Sequence, residues 1–88
     1  MAAVIVRFEV TDPARWKRMY DTTVRERLAV GIHAGLIFDD AEKTNGLIVV
    51  YQVEDIKRAK AYLTMDRQIS RELDVGVSEV EIWLGVER

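Results

Sequence analysis

His33 is the only histidine in the 88-residue sequence. Histidine is the one residue type whose unperturbed pKa lies near neutrality, which suits it to transfer protons in catalysis. His33 lies between Gly31 and Gly35, small residues that leave room for a ligand. We therefore predict that His33 is the catalytic residue if the protein is an enzyme. A strand histidine at a subunit interface or a sheet edge is the structural alternative.

Five aromatic residues form the second group of candidates. Their rings could line a pocket for a flat molecule, and a tyrosine hydroxyl could hold one of its oxygens. Aromatic residues at helical spacing are also common in an ordinary core, and this alternative stays open. The predicted substrate-binding residues are Tyr51, Phe8, Tyr20, Trp16 and Tyr62.

The sequence has no cysteine and one histidine, so it gives little support for a metal site or a disulfide. Disulfides and thiolate metal sites are therefore excluded, and zinc needs three or four ligands. Acidic residues cluster at Asp39, Asp40 and Glu42, which we interpret as a solvated hairpin rather than a cation site. We predict no metal and no cofactor.

The composition is typical of a soluble globular chain, which we interpret as one domain over residues 1–88. The net charge is −2, with 49% hydrophobic and 32% charged residues. No apolar run approaches the roughly 20 residues of a membrane span, and no cleavable leader is recognisable. Segment 45–51 has one aromatic residue, where RNA-recognition strands carry several. We expect a cytoplasmic protein that binds neither nucleic acid nor membranes.

The hydrophobic pattern predicts four strands and two helices in the order β-α-β-β-α-β. Asp12 followed by Pro13 predicts the start of the first helix, and Gly31 its end. The predicted strands cover residues 4–10, 32–38, 47–53 and 80–86, and Asn45-Gly46 is the turn of the middle hairpin.

Each predicted helix has one apolar stripe that we expect to face the sheet. In the first helix the stripe consists of Trp16, Met19, Tyr20, Val24 and Leu28. The second helix begins after Asp55 and has a break near Asp66. Its stripe consists of Ile56, Ala59, Tyr62 and Leu63 before the break, and Met65, Ile69 and Leu73 after it.

Two strand-helix-strand units joined by a hairpin predict a four-stranded antiparallel sheet with two helices on one face. The other face alternates to residues that are still largely apolar, namely Ile5, Ile37, Ile48, Val50 and Trp83. At about 25 cal/mol per Å² of apolar area, exposing that face would forfeit several kcal/mol. We therefore predict a homodimer, with higher oligomers left open. Its interface would include a polar network of Arg7, Glu9, Gln52 and Glu81.

The chain resembles the dimeric α/β-barrel superfamily, in which two ferredoxin-like subunits pack sheet against sheet. The resemblance extends over nearly the whole chain. It depends on the element order, the acidic hairpin at 38–46, the helix opening at 53–59 and the segment 73–77 before the last strand. The superfamily includes cofactor-independent monooxygenases, polyketide cyclases and haem-degrading enzymes. The resemblance implies a pocket between sheet and helices for a flat, apolar molecule.

Three functions remain open at this stage. The protein could be a cofactor-free cyclase, isomerase or monooxygenase in which His33 moves a proton and Tyr51 helps to hold a ring. It could instead be a non-catalytic dimer that binds a small effector. The third alternative is an oligomerisation module with a filled core. The haem-degrading branch usually carries its histidine on a helix, which argues against that activity because His33 is predicted on a strand.

Overall fold

The computed structural model describes residues 1–33 and 35–88, which form four strands and four helices. Each helix predicted from the sequence is therefore a pair of shorter helices. In chain order the elements are β1 (Ala2–Val10), α1 (Pro13–Thr22), α2 (Val24–Ala29), β2 (Leu36–Asp39), β3 (Gly46–Val53), α3 (Ile56–Leu63), α4 (Asp66–Asp74) and β4 (Val77–Val86).

The strands form one sheet in the order β2-β3-β1-β4, and every neighbouring pair is antiparallel. Alternate residues of β1 point to the helices, as a two-residue period requires. The residues of β1 on that face are all buried: Val4, Val6, Phe8 and Val10. This arrangement confirms the predicted ferredoxin-like fold, with the helices on one face of the sheet.

Carboxylate caps start the first helix of each pair. Asp12 accepts a hydrogen bond from the Arg15 amide at 3.1 Å, and Asp55 accepts bonds from two amides of α3. The predicted break near Asp66 is confirmed, but the break at Thr23 was missed. There, the Thr23 hydroxyl donates to the Met19 carbonyl at 3.0 Å, a local bond that competes with helix continuation.

The breaks at Thr23 and before Asp66 turn α2 and α4 so that their predicted apolar stripes face away from the core. Leu28 is 51% exposed and Leu73 is 66% exposed, so the predicted inward stripes are wrong for these helices. Polar residues take their place on the inner side, with Arg27 and Gln68 each only 6% exposed. The other stripe residues that are exposed rather than buried are Val24, Met65 and Ile69.

Strand β2 is shorter than predicted. It begins at Leu36, and Ile32 contributes only an isolated bridge to Val53. Phe38 lies opposite Ile48, so it belongs to the face away from the helices, whereas Ile37 pairs with Val49 on the helix side. The prediction for Ile37 is therefore wrong. The large apolar side chains on the sheet face away from the helices, called here the open face, are Ile5, Leu36, Phe38, Ile48, Val50 and Trp83.

A bulge in β4 lets Val77 and Ile82, on either side of it, both face the core. Arg7 of β1 pairs with Glu81, but Glu9 pairs with Ser78, so β4 carries one extra residue between these pairs. Glu79 adopts the left-handed conformation there, with φ 54°. The bulge shifts the alternation of side chains between the two faces of the sheet by one residue. The buried Val77 therefore faces the helices, as Ile82 does after the bulge.

The open face also carries a partly buried ion pair between Arg7 and Asp40. Arg7 donates from Nε to the Asp40 carboxylate at 2.6 Å, and this hydrogen bond holds the pKa of Asp40 below its usual range. The Asp40 side chain is only 3% exposed, so interpreting the whole hairpin as solvated was wrong. Arg7 has a carboxylate partner as predicted, but that partner is Asp40 rather than Glu9 or Glu81.

None of the helices in the described part of the chain is long and apolar enough to cross a membrane.

Candidate functional site

Four of the five predicted aromatic residues form a continuous row between the sheet and the helices. The ring centroids of Phe8 and Trp16 are 5.3 Å apart, and those of Trp16 and Tyr20 are 5.1 Å apart in a stacked pair. Tyr20 continues the row to Tyr51 at 6.3 Å. These separations are typical of favourable aromatic contacts. Strands β1 and β3 and helix α1 therefore bring together residues that are distant in the sequence.

A small inner cavity lies against this row. Its volume is about 20 Å³, which is room for about one water molecule. The four rings line it together with apolar residues of β1, α1 and α3. Three polar residues from α2 and α4 complete its wall: Arg27, Gln68 and Glu72.

Arg27 is held in place by uncharged groups. Its Nη1 donates to the Thr23 hydroxyl at 2.7 Å, and its Nη2 donates to the Tyr20 carbonyl oxygen at 2.8 Å. The guanidinium carbon lies 3.9 Å from the centroid of the Tyr20 ring, a cation–π contact. The break at Thr23 thus supplies a hydrogen-bond acceptor for Arg27. It also turns α2 so that the Arg27 side chain points inward.

The pKa values of the Glu72 carboxyl and the Tyr51 hydroxyl are both raised, which favours the neutral form of each group. Burial raises the pKa of Glu72, and the carboxylate accepts a hydrogen bond from Gln68 Nε2 at 3.2 Å. Burial also raises the pKa of the Tyr51 hydroxyl. Tyr51 therefore remains a hydrogen-bond donor at neutral pH, and Glu72 is a group that can release or take up a proton closer to neutrality than an ordinary carboxyl.

A larger groove of about 380 Å³ lies outside the inner cavity. Tyr20 and Arg27 line both spaces, so they form the wall between them. His33 lies on the groove at its exposed side, where Nε2 is 2.6 Å from a carboxylate oxygen of Glu54. The groove also contains Asp21 and apolar residues of α2, and Gly35 on the strand side.

Gly35 allows the aromatic row to pack closely. A Cβ atom at this position would lie 2.8 Å from the Tyr20 hydroxyl and 3.1 Å from the Tyr51 ring. The side of Gly35 that a Cβ would occupy is therefore filled by these two tyrosines, while Gly35 also lines the outer groove.

Tyr62 is separate from the other predicted aromatic residues. It lies on α3 and lines a different groove of about 480 Å³ between α2 and α3. Its hydroxyl is 3.5 Å from a carboxylate oxygen of Glu26, which also accepts two hydrogen bonds from Arg71. Tyr20 lines both the inner cavity and the groove that holds His33, whereas Tyr62 lines neither of them.

The sequence contained a signal for Arg27 that the search for apolar stripes missed. Trp16, Tyr20, Thr23 and Arg27 follow one another at steps of four, three and four residues, which is the spacing of one helix face. Gln68 and Glu72 are likewise four residues apart. A search for buried polar residues at helical spacing could have found both sets.

No group of three or more metal-ligating side chains occurs among residues 1–33 and 35–88. The candidate site combines the row of rings with the buried Arg27, the half-buried Glu72 and His33 at the rim of the groove. Of the four rings, Tyr20 lines the outer groove, where Arg27 and His33 are the groups that could hydrogen-bond to a small molecule or exchange a proton with it.

The order and pairing of the elements place the chain in a fold class, the ferredoxin-like α+β proteins. The structure of SnoaB, a cofactor-independent oxygenase from Streptomyces nogalater, matches with a TM-score of 0.72 and 16% identity, covering 99% of this chain and 92% of that one. An antibiotic biosynthesis monooxygenase matches with a TM-score of 0.68 and 12% identity, covering 100% and 99%.

A third similar structure is a dimeric ferredoxin-like protein from an uncultured marine organism. It matches with a TM-score of 0.65 and 9% identity, covering 99% of this chain and 94% of that chain. No protein-family model matches the sequence, and no curated protein is significantly similar to it. At these identities the similarity establishes the shared fold, and the predicted resemblance is confirmed at that level.

Proposed function

We propose that the protein is a homodimer that binds a flat, aromatic small molecule between sheet and helices and acts on it as a cofactor-free monooxygenase or cyclase. The observation that carries the proposal is the reversed orientation of α2 and α4. These helices bury Arg27 and Gln68 against the aromatic row, place the half-buried Glu72 beside them, and leave Leu28 and Leu73 exposed. Such an arrangement costs stability, and conflicts of this kind between local pattern and fold are typical of functional sites.

The outer groove is the proposed entrance and binding site. Its volume of about 380 Å³ lies within the range of small-molecule sites, roughly 300–1,000 Å³. Tyr20 supplies a ring for stacking, and His33 lies at the rim, within reach of a ligand that fills the groove. His33 is the proposed proton-transfer group, and Glu54, which contacts its Nε2, would orient the imidazole.

The proposed chemistry begins with removal of a proton from an activated carbon of the ligand. A CH₂ group flanked by aromatic rings gives a stabilised carbanion, which dioxygen can oxidise directly. The balanced change converts this CH₂ group and one O₂ to a ketone and one water, so no cofactor is required. The SnoaB oxygenase, which shares this fold, is described as cofactor-independent.

Dimerisation is proposed from the open face. Trp83 lies opposite Ile5 on this face and is 53% exposed, and Phe38 is 49% exposed beside Ile48. A sheet face with this composition is rarely left in contact with water. A second copy of the chain is a self-complementary cover, and the similar marine structure is described as dimeric.

One observation favours the alternative of a non-catalytic effector-binding or oligomerisation module. The inner cavity of about 20 Å³ is too small for any ring, so the core is nearly filled. The two functions differ in what the groove does. An enzyme turns over a ligand bound there, an effector-binding module binds it without turnover, and an oligomerisation module does not bind it.

Anthrone is a suitable test compound because it is flat, tricyclic and carries one acidic CH₂ group. The experiment measures oxygen uptake and the formation of anthraquinone with the wild type, His33→Ala and Arg58→Gln. Arg58 is an exposed control on α3 that lines the other groove. The proposal expects turnover by the wild type and the control, and at least about a hundredfold loss in His33→Ala with the dimer intact. Binding without turnover indicates an effector module, and no binding contradicts the proposed ligand site.

A further inference from the structure

Arg27 is a buried cation, and in the part of the chain that the structure describes no carboxylate pairs with it. Its side chain donates to a hydroxyl and a carbonyl oxygen, and both acceptors are uncharged. Within residues 1–33 and 35–88, no carboxylate oxygen lies within 4.0 Å of its nitrogens. Burying a charge is costly unless an opposite charge or a full set of hydrogen bonds compensates it. The Tyr20 ring and two hydrogen bonds supply only part of that compensation.

The other arginines that are not exposed show the contrast. Arg7 is bonded to the Asp40 carboxylate at 2.6 Å, and Arg71 is bonded to both oxygens of Glu26 at 2.8 and 2.9 Å. Arg7 and Arg71, the other two arginines that are not exposed, therefore each have a carboxylate partner within the chain. Arg27 differs from them in lining both the inner cavity and the outer groove.

The donors of Arg27 are sufficient to hold an anion. A guanidinium has five N–H donors, and the two hydrogen bonds within the described residues leave three for a ligand. Asp21 is the acidic residue on the same groove, and Lys17 compensates its charge through a contact of 2.7 Å. The groove therefore presents a fixed positive charge beside the Tyr20 ring.

We infer that the ligand of this site carries a carboxylate on its flat ring and that Arg27 is its counter-ion. This inference depends on the proposed function, because it requires that an aromatic molecule occupies the groove. Arginine is well suited to the role because its planar fork matches a carboxylate and forms strong charge-assisted hydrogen bonds. The ligand would then supply the negative charge that the chain itself provides for Arg7 and Arg71.

The test compares two probes that have the same flat shape and different charge, 2-naphthoate and 2-naphthamide. Affinities are measured by fluorescence titration with the wild type, Arg27→Gln and the control Arg58→Gln. We expect the wild type and the control to bind naphthoate about tenfold or more tightly than naphthamide. Arg27→Gln is expected to bind both probes with similar affinity, at the level of naphthamide in the wild type.

The possible outcomes separate this inference from the proposed function. Equal affinity of the wild type for both probes overturns the role of Arg27 but leaves an aromatic-binding groove. A naphthoate preference that survives in a folded Arg27→Gln also overturns it. Binding of neither probe contradicts the inference and the proposed groove together. The wild-type preference is measured without any variant, so a poorly folded Arg27→Gln cannot leave the inference untested.

Discussion

The guanidinium carbon of Arg27 lies 3.9 Å from the centroid of the Tyr20 ring, and Tyr20 in turn stacks on Trp16 at 5.1 Å. The cation and the aromatic row therefore form one packed unit at the wall between the inner cavity and the outer groove. Because Tyr20 also contributes the carbonyl oxygen that accepts from Arg27, this residue positions the charge through both its ring and its backbone.

Replacing the Tyr20 ring should therefore destabilise the protein more than removing its hydroxyl. We expect Tyr20→Leu to lower the free energy of unfolding by about 2 kcal/mol, because one stacked pair and one cation–π contact are lost. Tyr20→Phe keeps both contacts and should change stability by less than about 1 kcal/mol. Urea unfolding followed by circular dichroism measures both values. Equal losses in the two variants would show that the ring does not support Arg27.

The open face makes a prediction about assembly. Trp83→Lys places a charge at the proposed interface, so this variant should sediment as a single 10.1 kDa chain at concentrations where the wild type sediments as a dimer. Leu73→Lys is the matched control, since Leu73 is also exposed but lies on α4, on the other side of the sheet. Analytical ultracentrifugation measures both. A monomeric wild type, or a dimer that Leu73→Lys disrupts instead, would refute the proposed interface.

The Arg7–Asp40 pair predicts a loss of stability in acid. Because the hydrogen bond from Arg7 lowers the pKa of Asp40, its stabilising effect is present above the unfolded-state pKa of about 4 and is lost as pH falls through the lower folded-state pKa. The stability difference between the wild type and Asp40→Asn should thus be largest near pH 7 and shrink below about pH 4.

Urea unfolding at a series of pH values tests this dependence. Asp39→Asn is the control because Asp39 is the exposed neighbour in the same hairpin, and this substitution should have little effect. A wild-type advantage over Asp40→Asn that is constant with pH would argue against the ion pair as its source.

Glu72 predicts the opposite pH dependence. Burial raises its pKa, so the folded state favours the protonated form and stability falls as pH rises from the unfolded-state pKa through the folded-state pKa. Glu72→Gln should be more stable than the wild type at pH 7, and this advantage should disappear near pH 4. Thermal unfolding at the two pH values measures it. A variant that is less stable than the wild type at pH 7 would indicate that the charged carboxylate has a favourable partner.

The bulge in β4 predicts a stabilising substitution. Glu79 has φ 54°, which costs a side-chain-bearing residue roughly 1 kcal/mol relative to glycine. We expect Glu79→Gly to raise the free energy of unfolding by up to about 1 kcal/mol. Gly76→Ala is the reverse control, because a Cβ there would lie 1.9 Å from the Thr11 hydroxyl oxygen at φ +81° and should destabilise. If Glu79→Gly destabilises the chain, contacts of the Glu79 side chain outweigh the backbone strain.

The sequence was sufficient to predict the element order, the sheet and the faces of β1 and β3, because strand alternation and the Asp12 and Asp55 caps are local signals. The orientation of α2 and α4 was not predictable from apolar spacing. The orientation of α2 depends on the break at Thr23, where a hydroxyl bonds to the Met19 carbonyl, and that of α4 follows the separate break before Asp66. Ile37 was placed on the wrong face because the start of β2 was unknown, and a one-residue shift inverts every side chain.

The candidate site was predictable only in part, for a related reason. Phe8, Trp16, Tyr20 and Tyr51 could be proposed from residue type, and the fold brings them into one row. The three polar residues that line the inner cavity, Arg27, Gln68 and Glu72, were not predicted because only apolar residues were assigned to the interior. Tyr62 followed the same inward stripe but lies toward a different groove, a distinction that only the packing of α3 against α2 determines.

The central claim, that an aromatic ligand occupies the groove that Tyr20, Arg27 and His33 line, is tested most directly by an NMR titration of ¹⁵N-labelled protein with 2-naphthoate. The proposal predicts saturable amide shifts concentrated in residues 20–28, 32, 33 and 35, with little change on the outer edge of β4. Shifts confined to the open face or to the groove around Tyr62, or no saturable shifts, would contradict it.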